Sequence, residues 1–239
     1  MGHQKILKTK KKNNQEENFI IAASKVWNEN ILKELSFSAD KNFIGIFNKD
    51  DLNKEILDEI NPKYIFFTHW SYIIPEEIFL NYECVVFHMT DLPYGRGGSP
   101  LQNLILGGFT KTKVSALKVV KEIDAGPIYL KGDLDLRGSA QEIYERASKV
   151  CEEIIVEMTT KNLKPIPQSG TPTYFERRKP SQSNIKDASN IDEIYNMIRM
   201  LDADGYPKAF LELKNYKIEF SNSKIKDGII KTNATFKKI

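Results

Sequence analysis

The chain has 239 residues, 41% of them hydrophobic, enough to bury the core of one large domain with a small appendage. Its 35 basic and 32 acidic residues leave a formal charge of +3, without the focused basic surplus expected of a nucleic-acid binder. Three scattered histidines and two distant cysteines do not make a metal-ligand pattern, so no metal is expected, and Cys84 and Cys151 read as reduced core thiols.

In chain order, residues 1–17 begin with Lys8, Lys10, Lys11 and Lys12 and are expected to form a solvated, mobile arm. No run approaches the roughly 20 apolar residues of a membrane span, and no apolar segment of a secretory signal follows the start. The expected location is therefore cytoplasmic. From Phe19 the pattern alternates. Residues 19–23, 42–47, 64–68 and 84–88 read as buried strands, whereas 28–35, 50–60 and 75–80 have helical spacing. Asn61-Pro62 stops the second of these helices. Ser99-Pro100 reads as an N-cap followed by proline at the first helical position, opening a helix that ends near Gly107-Gly108. This alternation predicts an α/β fold, a mostly parallel sheet with helices on both faces.

Residues 112–120 and 127–135 are predicted to form an antiparallel pair joined by a turn at Asp124. Ser139-Ala140-Gln141-Glu142 has the spacing of a capping box, and the helix it opens lines up Ile143, Ala147, Val150, Ile154 and Met158. After Pro165-Ile166-Pro167-Gln168 the composition becomes loop-like. A second helical unit then presents Ile194, Met197, Ile198 and Leu201, with short strands expected near 216–220 and 228–231. The expected organisation is an arm at 1–17, a catalytic domain at 18–168 and a small C-terminal α+β subdomain at 169–239.

His88 closes one apolar run, and Asp124 follows another 36 residues later. A histidine and a carboxylate brought together at strand ends can move a proton at neutral pH. Taken singly, each has a plain reading: a satisfied strand-end histidine, and a turn-forming aspartate. Arg96-Gly97-Gly98 either lets backbone and guanidinium approach a phosphate or carboxylate, or only supplies a bend before the helix. His69 and Trp70 follow a strand and should lie at the same sheet edge, although Trp70 also suits a core position. Arg177, Arg178 and Lys179 form a basic cluster, fit for a pyrophosphate or simply for solvent.

The stretch from His88 through Leu92-Pro93, Tyr94, Arg96-Gly97 and Ser99-Pro100 resembles the active-site segment of formyltransferases that use 10-formyltetrahydrofolate. That family includes the glycinamide ribonucleotide, methionyl-tRNA and nucleotide-sugar enzymes. Asp124-Ala125-Gly126-Pro127-Ile128 is similar to the family's second motif, in the same order and at a matching distance. Arg177-Arg178-Lys179-Pro180, a helix, and Tyr206-Pro207-Lys208-Ala209-Phe210 resemble a third region, with Lys208 where glycine is usual.

The resemblance implies a Rossmann-like formyltransferase core that moves a formyl group from 10-formyltetrahydrofolate to an amine. It implies His88 and Asp124 as the catalytic pair. His69, Trp70, Thr90 and Asp124 are implied to contact the folate, and Arg96, Gly97, Gln102, Arg177 and Arg178 the acceptor. The family carries an asparagine two residues before the histidine, on the same strand face, as an oxyanion donor. Here that residue is Val86. Asn103 is the preferred replacement, with Gln102, Thr90 and His69 as alternatives.

The resemblance further points to a nucleotide-linked amino sugar of surface polysaccharide biosynthesis as the acceptor, because the segment after Pro207 looks too short for a full C-terminal barrel. Nucleic acid and membrane are not expected partners, and a homodimer is left open. The alternatives are a methionyl-tRNA formyltransferase-like enzyme, a formyl-folate hydrolase, or a catalytically impaired relative that binds folate or sugar nucleotide.

Overall fold

The apolar runs place most of the strands, and the computed structural model describes residues 6–8, 17–24, 29–38 and 41–239. The strands are β1 (Ile6–Lys8), β2 (Asn18–Ala22), β3 (Asn42–Ile46), β4 (Pro62–Phe67), β5 (Cys84–His88), β6 (Arg96–Gly97), β7 (Lys111–Lys118), β8 (Ile128–Asp135), β9 (Tyr174–Phe175), β10 (Ala209–Leu213), β11 (Tyr216–Lys226) and β12 (Ile229–Lys238). Seven of them make the main sheet, in the order β1-β3-β2-β4-β5-β7-β8. The central four run parallel, while β1, β7 and the β7–β8 hairpin add antiparallel pairings at the two sides.

Both faces of the central strands are buried, which is why these runs are continuously apolar rather than alternating. Phe19, Ile21, Phe66 and Val85 face helices α1 (Glu29–Ser38) and α5 (Ala140–Thr160), through Leu32, Leu35, Ile155 and Met158. Ile20, Ile44, Ile65 and Phe67 pack with Leu57 and Ile60 of α2 (Lys54–Ile60) and Ile78 of α3 (Glu76–Asn81). Asn53 caps α2 through its side chain, and Asn61, left-handed at φ 49°, ends it immediately before Pro62 opens β4.

Two helix starts contrast. At α5, Ser139 accepts the Glu142 N–H and Glu142 accepts the Ser139 N–H, the reciprocal capping box that the spacing predicts, worth about 1 kcal/mol. At α4 (Pro100–Leu106), Ser99 makes no side-chain cap. Its backbone is left-handed, at φ 51°, and its hydroxyl instead accepts the Arg178 N–H at 3.1 Å. The expected N-cap is thus a tie to the later chain.

That later chain continues through α6 (Ile191–Arg199) into a three-stranded antiparallel sheet, β10-β11-β12, whose last two strands are longer than expected. It shares a core with the first part. Leu101, Leu104 and Ile105 of α4 meet Ile143, Tyr144 and Ala147 of α5 and Met197, Ile198, Leu201 and Ala209. Buried Arg199 donates across this junction to the Leu136 and Gly138 carbonyls, at 2.6 and 3.0 Å.

One expectation is corrected. Ile6–Lys8 pairs antiparallel with β3, Ile6 opposite Ile46, so its backbone occupies the edge of the sheet that β3 would otherwise leave unpaired. These three residues are an edge strand, not part of a solvated arm. Of the remaining arm only Glu17 lies within the described residues, and it pairs with Lys63 at 2.6 Å. Among the described residues no helix is long and apolar enough to cross a membrane.

Candidate active site

His88 is the last residue of β5, on the sheet face that also carries Cys84 and Val86. Its neighbour β7 runs antiparallel, so the β7–β8 hairpin leaves the sheet at the opposite end of β5, where the Val119 N–H reaches the Cys84 carbonyl at 2.9 Å. At ~3.3 Å per residue, that point lies ~13 Å from the His88 backbone. Residues 119–127 span the gap. They bring the Asp124 Oδ2 to 3.5 Å from His88 Nδ1, with the two side chains only 8% and 12% exposed. The pair therefore meets through a returning loop, not through two strand ends side by side.

His88 Nε2 lies 2.8 Å from the Gly95 carbonyl, which can only accept, so Nε2 carries a proton and Nδ1 faces the carboxylate. Asp124 Oδ2 also accepts the Gly97 N–H at 2.9 Å. Asp124 itself is left-handed, at φ 53°, a conformation that costs a non-glycine residue about 1 kcal/mol and must be held by its surroundings. The holders are Gln168, whose Nε2 donates to the Asp124 and Gly126 carbonyls at 2.8 Å each, and the crowded turn itself. A Cβ on Gly126 would lie 1.8 Å from the Lys118 carbonyl oxygen.

On the histidine side, Gly95 donates to Thr173 Oγ1 at 2.7 Å, and fully buried Ser115, opposite His88 in the register, donates to the Thr90 carbonyl at 2.7 Å. The short pairing of β6 with β9 closes the arrangement: Arg96 N donates to the Thr173 carbonyl at 2.9 Å and Gly98 N to the Phe175 carbonyl at 3.0 Å.

The other expected site residues divide. Gly97 is at the pair, through its amide, at φ 99°; a Cβ there would lie 2.5 Å from the Phe175 carbonyl oxygen, so only glycine fits. Thr90 is fully buried two residues beyond His88, with its hydroxyl 3.5 Å from the same Gly95 carbonyl. Arg96 is not available to an acceptor phosphate. Its Nε and Nη2 donate to Gln168 Oε1 at 3.2 and 2.9 Å, and its Nη1 pairs with Glu122 Oε1 at 3.2 Å.

Two further expectations are corrected. The Asn103 amide nitrogen donates to the Gly98, Ser99 and Glu176 carbonyls, at 3.0, 3.1 and 3.2 Å, so its protons are already used in joining α4 to the later chain. It does not stand in for the missing asparagine. Gln102 is buried in the shared core and donates to Tyr144 Oη and the Met200 carbonyl, both at 3.2 Å, which makes it a packing residue rather than an acceptor contact. Val86 is half-buried and packs with the apolar cluster under α2 and α3.

His69 and Trp70 follow β4, next to β5. His69 is left-handed, at φ 50°, lies edge-on to Tyr144, and has Ser148 Oγ 3.4 Å from Nε2. Burial pushes its pKa down to about 4, so it is neutral at physiological pH. The Trp70 ring packs against Phe67 and Tyr72, while its buried Nε1 has no hydrogen-bond partner. Arg177 is exposed. Arg178 is half-buried, which lowers its pKa, and donates to the Gln182 carbonyl at 2.7 Å. Arg178 lines a separate cavity of about 560 Å³ with Ser181, Asn184, Glu193 and Phe210. Among the described residues no group of three or more histidine, cysteine or acidic side chains is arranged to hold a metal.

The sequence reading missed Gln168, Thr173 and Ser115. Their partners are mostly backbone carbonyls and amides far away in the chain, which no local pattern announces. The one available signal was a long amide side chain directly after the stiff Pro165-Ile166-Pro167 segment.

Comparison with known proteins adds three findings. Residues 180–237 match the family described as methionyl-tRNA formyltransferase, C-terminal domain. A methionyl-tRNA formyltransferase of Thermodesulfovibrio yellowstonii is 27% identical over 188 residues, covering 75% of this chain and 60% of the relative. The chain thus spans about three fifths of the length of the curated relatives it matches. Among solved structures, the methionyl-tRNA formyltransferase from Clostridium thermocellum superposes with a TM-score of 0.90 at 49% identity, covering 93% of this chain and 99% of that one. A sugar N-formyltransferase from Shewanella shares the fold at 14% identity, with a TM-score of 0.66 over 91% of this chain and 96% of that one.

Proposed function

Since the chain belongs to the formyltransferase family, we propose that it is an N-formyltransferase moving a formyl group from 10-formyltetrahydrofolate to an amine. The observation that carries this reading is the buried His88–Asp124 pair beside the Gly97 amide. Bound formyl-folate would supply an activated formyl group on nitrogen. The protein's part is proton handling. The attacking amine must lose a proton and the formyl oxygen gains negative charge as the new C–N bond forms; the oxyanion then collapses, the bond to the folate nitrogen breaks, and that nitrogen takes up the proton the amine gave up. Asp124 keeps one carboxylate oxygen, Oδ1, with no bond to Gly97 or His88, and this oxygen takes the amine proton. His88, with Nε2–H held by the Gly95 carbonyl, turns Nδ1 toward the Asp124 carboxylate and keeps it oriented beside the reacting atoms. The unpartnered Trp70 indole N–H suits a pterin carbonyl or ring nitrogen, since a buried donor without an acceptor is costly.

The acceptor favoured by the comparisons is the amino group of methionyl-tRNA. The relatives carry that name, and the matched segment, residues 180–237, includes the stretch after Pro207 whose shortness pointed to an amino sugar. Residues 208–239 also hold eight lysines against three acidic residues, a local basic excess on and beside the terminal sheet. A phosphate backbone would be attracted there. A nucleotide-linked amino sugar is the second reading; a sugar N-formyltransferase shares the fold at 14% identity.

The test follows tetrahydrofolate release from 10-formyltetrahydrofolate with methionyl-tRNA, with a panel of nucleotide-linked amino sugars, and with no acceptor. Release dependent on methionyl-tRNA, with tRNA affinity falling steeply as salt rises, is the expected result. Release only with an amino sugar transfers the reading to that acceptor. Release without any amine makes the protein a formyl-folate hydrolase. No release under any condition, which the Val86 departure would explain, removes the transferase reading.

A further inference from the structure

We infer that Gln168 is a positioning residue for the His88–Asp124 pair, reaching it from the segment that leads into the C-terminal part of the chain. The inference deepens the formyl-transfer reading and rests on it for its kinetic consequence. Gln168 uses its whole amide. The nitrogen gives both protons to carbonyls on either side of Ala125, those of Asp124 and Gly126, at 2.8 Å each. The oxygen accepts two guanidinium N–H groups of Arg96, at 3.2 and 2.9 Å.

Arg96 is in turn anchored to the same turn, through Glu122 Oε1 at 3.2 Å, and its ring neighbour Tyr174 approaches the same carboxylate at 3.3 Å. These bonds form a closed ring: Arg96, Gln168, the Asp124 backbone and Glu122. The residue after Arg96 is Gly97, whose amide binds the Asp124 carboxylate. One end of the ring therefore holds the aspartate's backbone in its left-handed conformation, and the other holds its side chain against His88.

Only an amide satisfies all four partners. A glutamate would keep the bonds from Arg96 but present oxygen to two carbonyls. A methionine would keep the length and lose every bond. Neither change touches the imidazole, the carboxylate or a position assigned to substrate.

The experiment compares wild type, Gln168→Met and Gln168→Glu by ¹H–¹⁵N spectroscopy and by steady-state formyl transfer. The Gly97 amide reports directly on the Asp124 carboxylate, and the His88 ring nitrogens are readable because the chain has three histidines. In both variants the Gly97 amide and His88 ring signals are expected to move. kcat should fall about ten- to hundredfold, with KM for 10-formyltetrahydrofolate within about twofold, as for a misplaced reacting group. Arg96→Lys, which keeps the charge but loses the paired N–H geometry, should fall between these variants and wild type.

Gly97 and His88 signals that coincide with wild type in a folded Gln168→Met protein overturn the inference. So does a variant whose KM rises while kcat stays constant. If wild type transfers no formyl group yet the signals move in the variants, the functional reading fails and the positioning role stands.

Discussion

Adjacent strands β4 and β5 each deliver a histidine to the same end of the sheet, His69 two residues past Phe67 and His88 as the final residue of its strand. Their surroundings give the two rings opposite capacities. His88 has an acceptor at each nitrogen, a carbonyl at Nε2 and a carboxylate at Nδ1. His69 has the edge of Tyr144 and the Ser148 hydroxyl, and burial keeps it neutral. The residue type and the strand-end position are the same. What separates them is which distant segment folds against each: a loop from the β7–β8 hairpin, or helix α5.

The largest test of this contrast is His88→Ala. Formyl transfer should fall by about three orders of magnitude, the middle of the range for general acid–base groups, while the melting temperature changes by only a few degrees. A tetrahydrofolate-release rate within about tenfold of wild type would erase the distinction between the rings. Asp124→Asn comes next, with an expected loss of about a hundredfold. The amide oxygen can still accept from Gly97, so folding is preserved while the charge facing His88 is gone; a rate near wild type would make the carboxylate dispensable.

At the same strand, Val86→Asn places an amide donor on the His88 face. It should raise kcat by about tenfold, a fraction of the value of such donors elsewhere. Unchanged turnover, measured under saturating substrates, would mean that this chain has no need of that donor.

The smallest effect sharpens the other side of the comparison. The folded-state pKa of His69, about 4, lies below its ordinary 6.5. The unfolded chain therefore binds a proton that the folded one refuses between these values. Stability is complete above pH 6.5 and declines as the pH falls to about 4. His69→Gln should flatten this part of the melting-temperature profile. An unaltered slope would place the titration elsewhere.

Much of the frame is readable from the chain itself. Continuous apolar runs give the parallel strands, because both faces of the sheet are covered, and Ser139 with Glu142 announces α5 by local capping alone. The His88–Asp124 meeting is readable only because two motifs agree in order and distance. Other parts are hidden for a common physical reason. Ser99 looks like a cap, yet its hydroxyl goes to Arg178; Asn103 looks like a free donor, yet three carbonyls claim it; Gln168 looks like a loop residue, yet it holds the turn. Each outcome depends on backbone groups from remote segments, and every residue supplies a carbonyl, so sequence cannot say which one arrives.

The core shared by α4, α5 and residues 197–209 has a consequence for biosynthesis. As the polypeptide leaves the ribosome, Leu101, Leu104, Ile105, Ile143 and Ala147 emerge well before Met197, Ile198 and Leu201, which cover them. Until that cover arrives, the nascent protein exposes a greasy stripe of the kind that chaperones bind and that aggregates. The same delay keeps Thr173 from bracing Gly95, so an incomplete translation product would lack part of the machinery that fixes its imidazole.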